Sequence, residues 1–398
     1  METRPTTRRH FPALDGLRGL AIIAVLLRHS AYVFQGHGPV TRWFLPIMQF
    51  GAWGVDLFFV LSGFLITGIL LDTRTALNRG SSFYGRRILR IFPVYYLAIA
   101  LVFLAEPHSE WMRTAANLQN RTDHLSYLFY FQNWIPLWHH GKYPESLISH
   151  FWSLAVEEQF YMIWPAIVWH LSARAISRLC AAAVLFSLVL RLILVPHFGD
   201  GIWVYAFTIT RADGLFVGSA IAAIFALKGQ ISNRLLGGFT IGGIVGLAMA
   251  AVLGFPRDLW ETGLWMSMVG ITGVALMSGA LVVFCLQYSQ TNVGRFFQQR
   301  WIRTFGKYSY GMYVWHFPIY YFVQHLLEAR GVVFPLPTAR AIPYVAVLIA
   351  ASYAVAWFSF NAYEQWFLRL KTHFEPVFTV RDLPQTAPRT GLAYHDNG

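Results

Sequence analysis

Residues 51–72 read GAWGVDLFFVLSGFLITGILLD, with Asp56 the only charge before the closing Asp72. The run is continuous, and about 20 such residues cross the ~30 Å hydrocarbon core of a bilayer as a helix. A membrane β-barrel strand would instead alternate apolar and polar residues in pieces of about ten. Comparable runs lie at about 12–33, 88–105, 151–171, 179–196, 213–228, 235–254, 262–287, 306–328 and 341–366. Composition agrees: of 398 residues 56% are hydrophobic and 13% charged, about half the ~25% charged content of soluble domains. The expected fold is all-α, a polytopic transmembrane bundle of about ten spans. One membrane domain covers 1–372, and a polar, flexible cytoplasmic tail covers 373–398. Two cysteines, Cys180 and Cys285, leave no basis for a disulfide framework.

The balance of 31 Lys plus Arg against 19 Asp plus Glu gives a net charge of +12, which at first suggests nucleic acid. The distribution argues otherwise. Ten spans put both termini on one side, and 21 of the 31 basic residues fall on that side, Arg74, Arg79, Arg86, Arg87 and Arg90 forming the densest group. Such a bias marks the cytoplasmic side. The reading is a multi-pass protein of the cell inner membrane, its excess charge serving topology and attraction to the inner leaflet, with no nucleic-acid partner. Thr7-Arg8-Arg9-His10-Phe11 has the look of a twin-arginine export signal. The stretch after it holds Asp15, Arg18, Arg28 and His29 and no small-residue cleavage site, so that reading fails.

Ionisable residues inside spans are expensive and mark function by default. Asp15, Arg18, Ile22, Val25 and His29 follow a 3, 4, 3, 4 spacing and share one helix face. Arg18 and His29 then stand about 16 Å apart along the axis. Asp56 in the second span either pairs with Arg28 or orients His29, and Ser62-Gly63 permits close helix approach. Arg86 and Arg90 share a face, with Arg87 beside them, as a lipid-headgroup contact or as a phosphate cradle. His150, Ser153, Glu157 and Tyr161 form one stripe, with Ser153 able to hydrogen-bond Glu157 one turn on. Tyr308, Tyr310 and Tyr313 precede His316 and Pro318, as an interfacial aromatic belt or as lining of the interior. The outer stretch 106–150 is rich in aromatics, Trp134 among them, and either rests on the membrane or forms a platform for a sugar or lipid-linked acceptor. His139-His140 lacks metal-ligand spacing, and no metal is expected.

Taken in order, these segments resemble the integral-membrane acyltransferase family 3, the bacterial O-acyltransferases of surface polysaccharides and related acceptors. The resemblance rests on Arg18 with His29, Gly54-x-Asp56-x-Phe58-Phe59-x-x-Ser62-Gly63-Phe64 and the Arg-rich segment with Pro93. Trp152-Ser153-Leu154 with Glu157 and Phe160-Tyr161, the run from Tyr308 to His316, and Tyr363-Glu364 complete it. It covers about 12–370. The family often continues Tyr-Glu-Arg-Pro where this chain has Tyr363-Glu364-Gln365-Trp366, so an ion-pair role for that arginine has no counterpart here.

The resemblance implies ten helices, an acyl-CoA donor from the cytoplasm, by default acetyl-CoA, and an extracytoplasmic glycan, lipid-linked sugar or glycoside as acceptor. It also implies that His29 and Arg18 are the functional pair. Many relatives carry an added extracytoplasmic hydrolase-like domain, for which this chain has no room, so it is expected to act alone or with a separate partner. A phosphate-rich donor with a long thin arm suits arginines at the cytoplasmic mouth and a histidine about 16 Å deeper. On this reading Arg86, Arg87, Arg90 and Arg18 hold the phosphates, with Tyr308 and Tyr310 beside them. His29, with an ordinary imidazole pKa near 6.5, acts as general base. Glu157 or Asp56 orients or charge-balances it, and Trp152, Ser153, His316 and Trp134 face the acceptor. Direct transfer and an acyl-protein intermediate both remain open. The rival class is a transporter or flippase using His, Asp and Glu as a proton relay, against which stands the lack of an inverted repeat.

Overall fold

The computed structural model describes residues 2–3, 11–34, 39–116, 121–139, 146–198, 202–254 and 263–379. The expectations placed on Arg8, Arg9, His140 and most of the tail lie outside the described residues. Among the described residues ten long helices carry the fold: α1 (Pro12–His29), α2 (Trp53–Asp72), α3 (Arg79–Ala105), α4 (Trp152–His170) and α5 (Ala173–Phe198). The others are α6 (Asp213–Lys228), α7 (Asn233–Gly254), α8 (Ile271–Gln287, entered through a π turn at Met266–Gly270), α9 (Arg300–Glu328) and α10 (Thr338–Ser359). Each coincides with one of the ten apolar runs. The architecture is the all-α membrane bundle expected. Seven of the described segments are long and apolar enough to cross a bilayer, those containing α1, α2, α3, α5, α7, α8 and α10. The other three, α4, α6 and α9, are the short or polar ones.

Two tight helix crossings set the core. A Cβ on Gly63 would stand 2.0 Å from the Leu215 carbonyl oxygen, so α2 and α6 meet backbone to backbone. A Cβ on Gly306 would stand 2.0 Å from the Asp15 carbonyl oxygen, which does the same for α1 and α9. Small residues at such crossings let helices approach where the lipid supplies no hydrophobic drive. Large apolar side chains such as Ile163, Leu185, Val252 and Phe358 point outward, as suits a hydrocarbon surround.

Charges are pinned in pairs inside the bundle. Arg211 grips Asp56 through two contacts of 2.5 and 3.2 Å. Arg191 reaches Asp213 at 2.9 Å and also donates to Thr272 Oγ1 and the Thr210 carbonyl. These ties lock α2, α5, α6 and α8 together, because a buried charge is tolerated only when paired. Near the two ends of the described chain, Glu2–Thr3 pairs antiparallel with Val377–Phe378. Asn78 in the α2–α3 turn donates to the Glu375 carbonyl and accepts from the Val377 N–H, each at 2.8 Å. The first described residues of the expected tail are therefore held on that turn.

Candidate active site

Two cavities that share Arg18 and Arg90 in their walls lie along α1 and α9. The outer one, about 510 Å³, lies at the terminal end of the bundle and is lined by Arg18, Arg90, Arg300, Arg303 and Lys307 with Asp15. Five cations against one carboxylate make it a ready anion site. Arg18 and Arg90 also line the inner cavity, about 260 Å³, with Arg87, Ser62, Glu157, Glu158, Tyr161, Ser309 and Tyr310. Its far end is formed by Ser153 and Tyr313. Helix geometry explains the arrangement: α3 presents Arg87 and Arg90 at i, i+3, and α4 presents Ser153, Glu157 and Tyr161 on one stripe. Glu157 accepts from Ser62 Oγ at 2.6 Å, and the Arg87 guanidinium sits 4.5 Å over the Tyr161 ring. Arg18 Nε, Arg87 Nε and Ser309 Oγ are buried with no hydrogen-bond partner among the described residues. A bound water or anion would satisfy such buried donors.

Beyond Tyr313 stand three imidazoles. His29 Nδ1 lies 2.8 Å from His316 Nε2. His316 Nδ1 lies 2.7 Å and His150 Nε2 2.9 Å from the Tyr313 carbonyl oxygen. The Tyr313 hydroxyl shares a 2.5 Å hydrogen bond with Ser153 Oγ and donates to the His150 carbonyl at 2.8 Å. Arg18 lines both cavities, whereas His29, eleven residues further along α1, lines neither and stands in the histidine cluster behind Tyr313.

Several expected partnerships change. Asp56 neither pairs with Arg28 nor orients His29: Arg211 holds both its oxygens. Glu157 is not the group on His29, since its bond is to Ser62 and the imidazole's partner is another imidazole. Ser153 does not bond Glu157, because Tyr313 on α9 claims its hydroxyl. Arg86 and Tyr308 line neither cavity; Tyr308 packs edge-on to Tyr353 and Phe360. Tyr310 does line the inner cavity, donating to the Ile91 carbonyl at 2.8 Å. Trp152 packs against Tyr205 and the Arg211 guanidinium, and Trp134 against Phe207, both away from the cavity lining. His316 is fully buried in the histidine cluster. Spacing along the chain gives no sign that Arg211 meets Asp56, that Arg300, Arg303 and Lys307 gather at Arg18, or that His150 stands against His316. His150 leads the Glu157 stripe, a signal that could have linked it to the site. Among the described residues no group of side chains is arranged to hold a metal.

Comparison with known proteins identifies relatives of this chain. The chain is 32% identical over 329 residues to the putative peptidoglycan O-acetyltransferase YrhL of Bacillus subtilis, a match covering 78% of this chain and 49% of that protein. It is 29% identical over 374 residues to the peptidoglycan O-acetyltransferase OatA of Listeria monocytogenes, covering 90% and 56% respectively. With the O-acetyltransferase OatA of Staphylococcus aureus the identity is 31% over 331 residues, covering 79% and 51%. The chain spans about half the length of these curated relatives. No solved structure matches it. The acyltransferase family 3 model, an acyltransferase domain, matches residues 11–360. That match takes in Arg18, His29 and all ten long helices, so this chain belongs to the acyltransferase family 3.

Proposed function

We propose that the protein is a membrane O-acyltransferase of the cell inner membrane, with both termini cytoplasmic. It would move an acyl group, acetyl by default, from cytoplasmic acyl-CoA to a hydroxyl of an extracytoplasmic cell-wall glycan such as peptidoglycan. The observation that carries this reading is the pair of cation-lined cavities that share Arg18 and Arg90. Phosphates of the donor would sit at Arg18, Arg90, Arg300, Arg303 and Lys307, and the thin acyl arm would enter the inner cavity past Arg87 toward Tyr313. Arginine forks suit phosphate oxygens, and the unpaired Arg18 and Arg87 donors await such an acceptor. Glu157 and Glu158 offset part of the guanidinium charge inside the bundle. The peptidoglycan acceptor is suggested by the names of the relatives.

In the transfer, the acceptor hydroxyl oxygen attacks the thioester carbonyl carbon while His29 takes its proton. The C–S bond then breaks, and the imidazolium returns a proton to the departing CoA sulfur. General-base help of this kind is worth about 10²–10⁴-fold. The test is purified protein in lipid nanodiscs with labelled acetyl-CoA and a peptidoglycan fragment. Label should pass to the glycan, and His29→Ala should abolish transfer while the protein stays monodisperse. Wild-type turnover by His29→Ala refutes the base assignment. Acceptor flux across proteoliposomes without acyl transfer, over a panel of donors, would favour the transporter reading.

A further inference from the structure

The hydrogen bonds around the three imidazoles fix where their protons sit. His316 Nδ1 lies 2.7 Å from the Tyr313 carbonyl oxygen and 3.1 Å from that of Met312. Carbonyls only accept, so this nitrogen carries the hydrogen. In a neutral imidazole the second nitrogen is then an acceptor. His316 Nε2 is the atom 2.8 Å from His29 Nδ1, so His29 must be the donor of that bond. The remaining nitrogen of His29, Nε2, is left with a lone pair. The alternative, a doubly protonated His316, would put an unpaired cation on a fully buried ring enclosed by His150, Phe317 and Tyr320. Burying a charge without a counter-charge costs several kcal/mol.

We propose that His316 is a positioning residue that holds His29 as the Nδ1–H tautomer, so that the Nε2 lone pair is the one offered to the acceptor hydroxyl. This rests on the acyltransferase reading above and assigns the proton-accepting atom within it. The two ring planes lie 15° apart, and Phe317 stands edge-on to His29 with centroids 4.6 Å away, so the ring's orientation is fixed as well as its proton. The free side chain in water favours hydrogen on Nε2, which would present the acceptor with a donor and leave no base. His150 is no substitute: its Nε2–H is committed to the Tyr313 carbonyl, and its other nitrogen is buried in a residue only 3% exposed. His29 is the partly exposed member of the three. The task is the one a carboxylate performs in a serine-protease triad, where holding the wrong tautomer lowers kcat by about 10⁴-fold. A neutral acceptor does it here, as suits a site deep in an apolar bundle.

The experiment compares wild type, His316→Leu, His316→Gln and His29→Ala in nanodiscs, by transfer kinetics and by ¹⁵N NMR of histidine-labelled protein. The His29 signals are those missing from His29→Ala. Wild type should show the Nδ1–H pattern at His29. His316→Leu, which removes the acceptor, should lose that pattern and lower kcat by about 10²–10⁴-fold with KM for the donor unchanged. In His316→Gln the amide oxygen accepts from Nδ1–H and the amide nitrogen donates to a carbonyl, so pattern and most of kcat should return. A ring required only for packing would not be rescued in this way. An Nε2–H pattern at wild-type His29, or His316→Leu with kcat within twofold of wild type, overturns the proposal. The ring pattern is read without substrate, so it decides the tautomer even where no donor gives transfer. Failure of the acyltransferase reading shows separately, as acceptor flux by the wild type without acyl transfer.

Discussion

Replacing Asp56 by asparagine separates a structural carboxylate from a chemical one. The Arg211 side chain is fully buried and that of Asp56 is 5% exposed, with contacts of 2.5 and 3.2 Å. The guanidinium also faces the rings of Phe59, Trp152 and Tyr205. The amide keeps the shape and one hydrogen bond but removes the charge, leaving a buried cation without its counter-ion. Breaking such a pair on one side costs about 3–5 kcal/mol, whereas replacing both partners by apolar residues is often neutral. Asp56→Asn should therefore lose about 3 kcal/mol or more of unfolding free energy, measured by titrating mixed micelles with a denaturing detergent. The double variant Asp56→Leu with Arg211→Leu should lose less than either single change. The folded fraction of Asp56→Asn should keep its kcat within about threefold, since this carboxylate lies on Arg211 and away from His29. Stability within about 1 kcal/mol of wild type together with a collapsed kcat would refute the reasoning and return Asp56 to the chemistry.

Gly63→Ala should destabilise by about 1–3 kcal/mol by pushing α6 off α2, whereas Gly68→Ala, which has open space beside it, should be neutral in the same unfolding titration. Arg300→Gln with Arg303→Gln should raise the donor KM about tenfold and flatten its salt dependence, because screening acts on exposed charges; Arg86→Gln should change KM less than twofold. Thr67→Val strands a chain in which Trp164 Nε1 donates to Thr67 Oγ1 and Thr67 to Ser219, each at 2.8 Å. About 1–3 kcal/mol of stability should be lost, against a near-neutral Thr240→Val as control.

The helices were legible because bilayer thickness imposes a length and an apolar composition that any sequence must show. The Arg18–His29 relation was legible too, since both lie on one helix and periodicity alone aligns them. What sequence spacing missed was competition from other helices. Ser153 and Glu157 sit one turn apart and have the reach to pair, yet Tyr313 from α9 takes the first and Ser62 from α2 the second. Asp56 had plausible partners nearby in sequence, but the α2–α6 crossing delivers Arg211 from 155 residues away. Arg300, Arg303 and Lys307 look like ordinary cytoplasmic flanks until the α1–α9 packing folds them over Arg18 and Arg90.

The small strand pair at the chain ends constrains how the bundle is threaded. Backbone groups that hydrogen-bond each other lie on the same side of any bilayer, so the chain between Thr3 and Val377 crosses an even number of times. The described segments that qualify by length and composition number seven, which is odd. If all seven cross, an odd number of further crossings falls to α4, α6 and α9 among the described long helices, and each of these carries an ionisable residue: Glu157, Asp213 or His316. On that count at least one such helix would traverse the lipid with its polar groups sheltered by neighbours, as the burial of Asp213 and His316 allows.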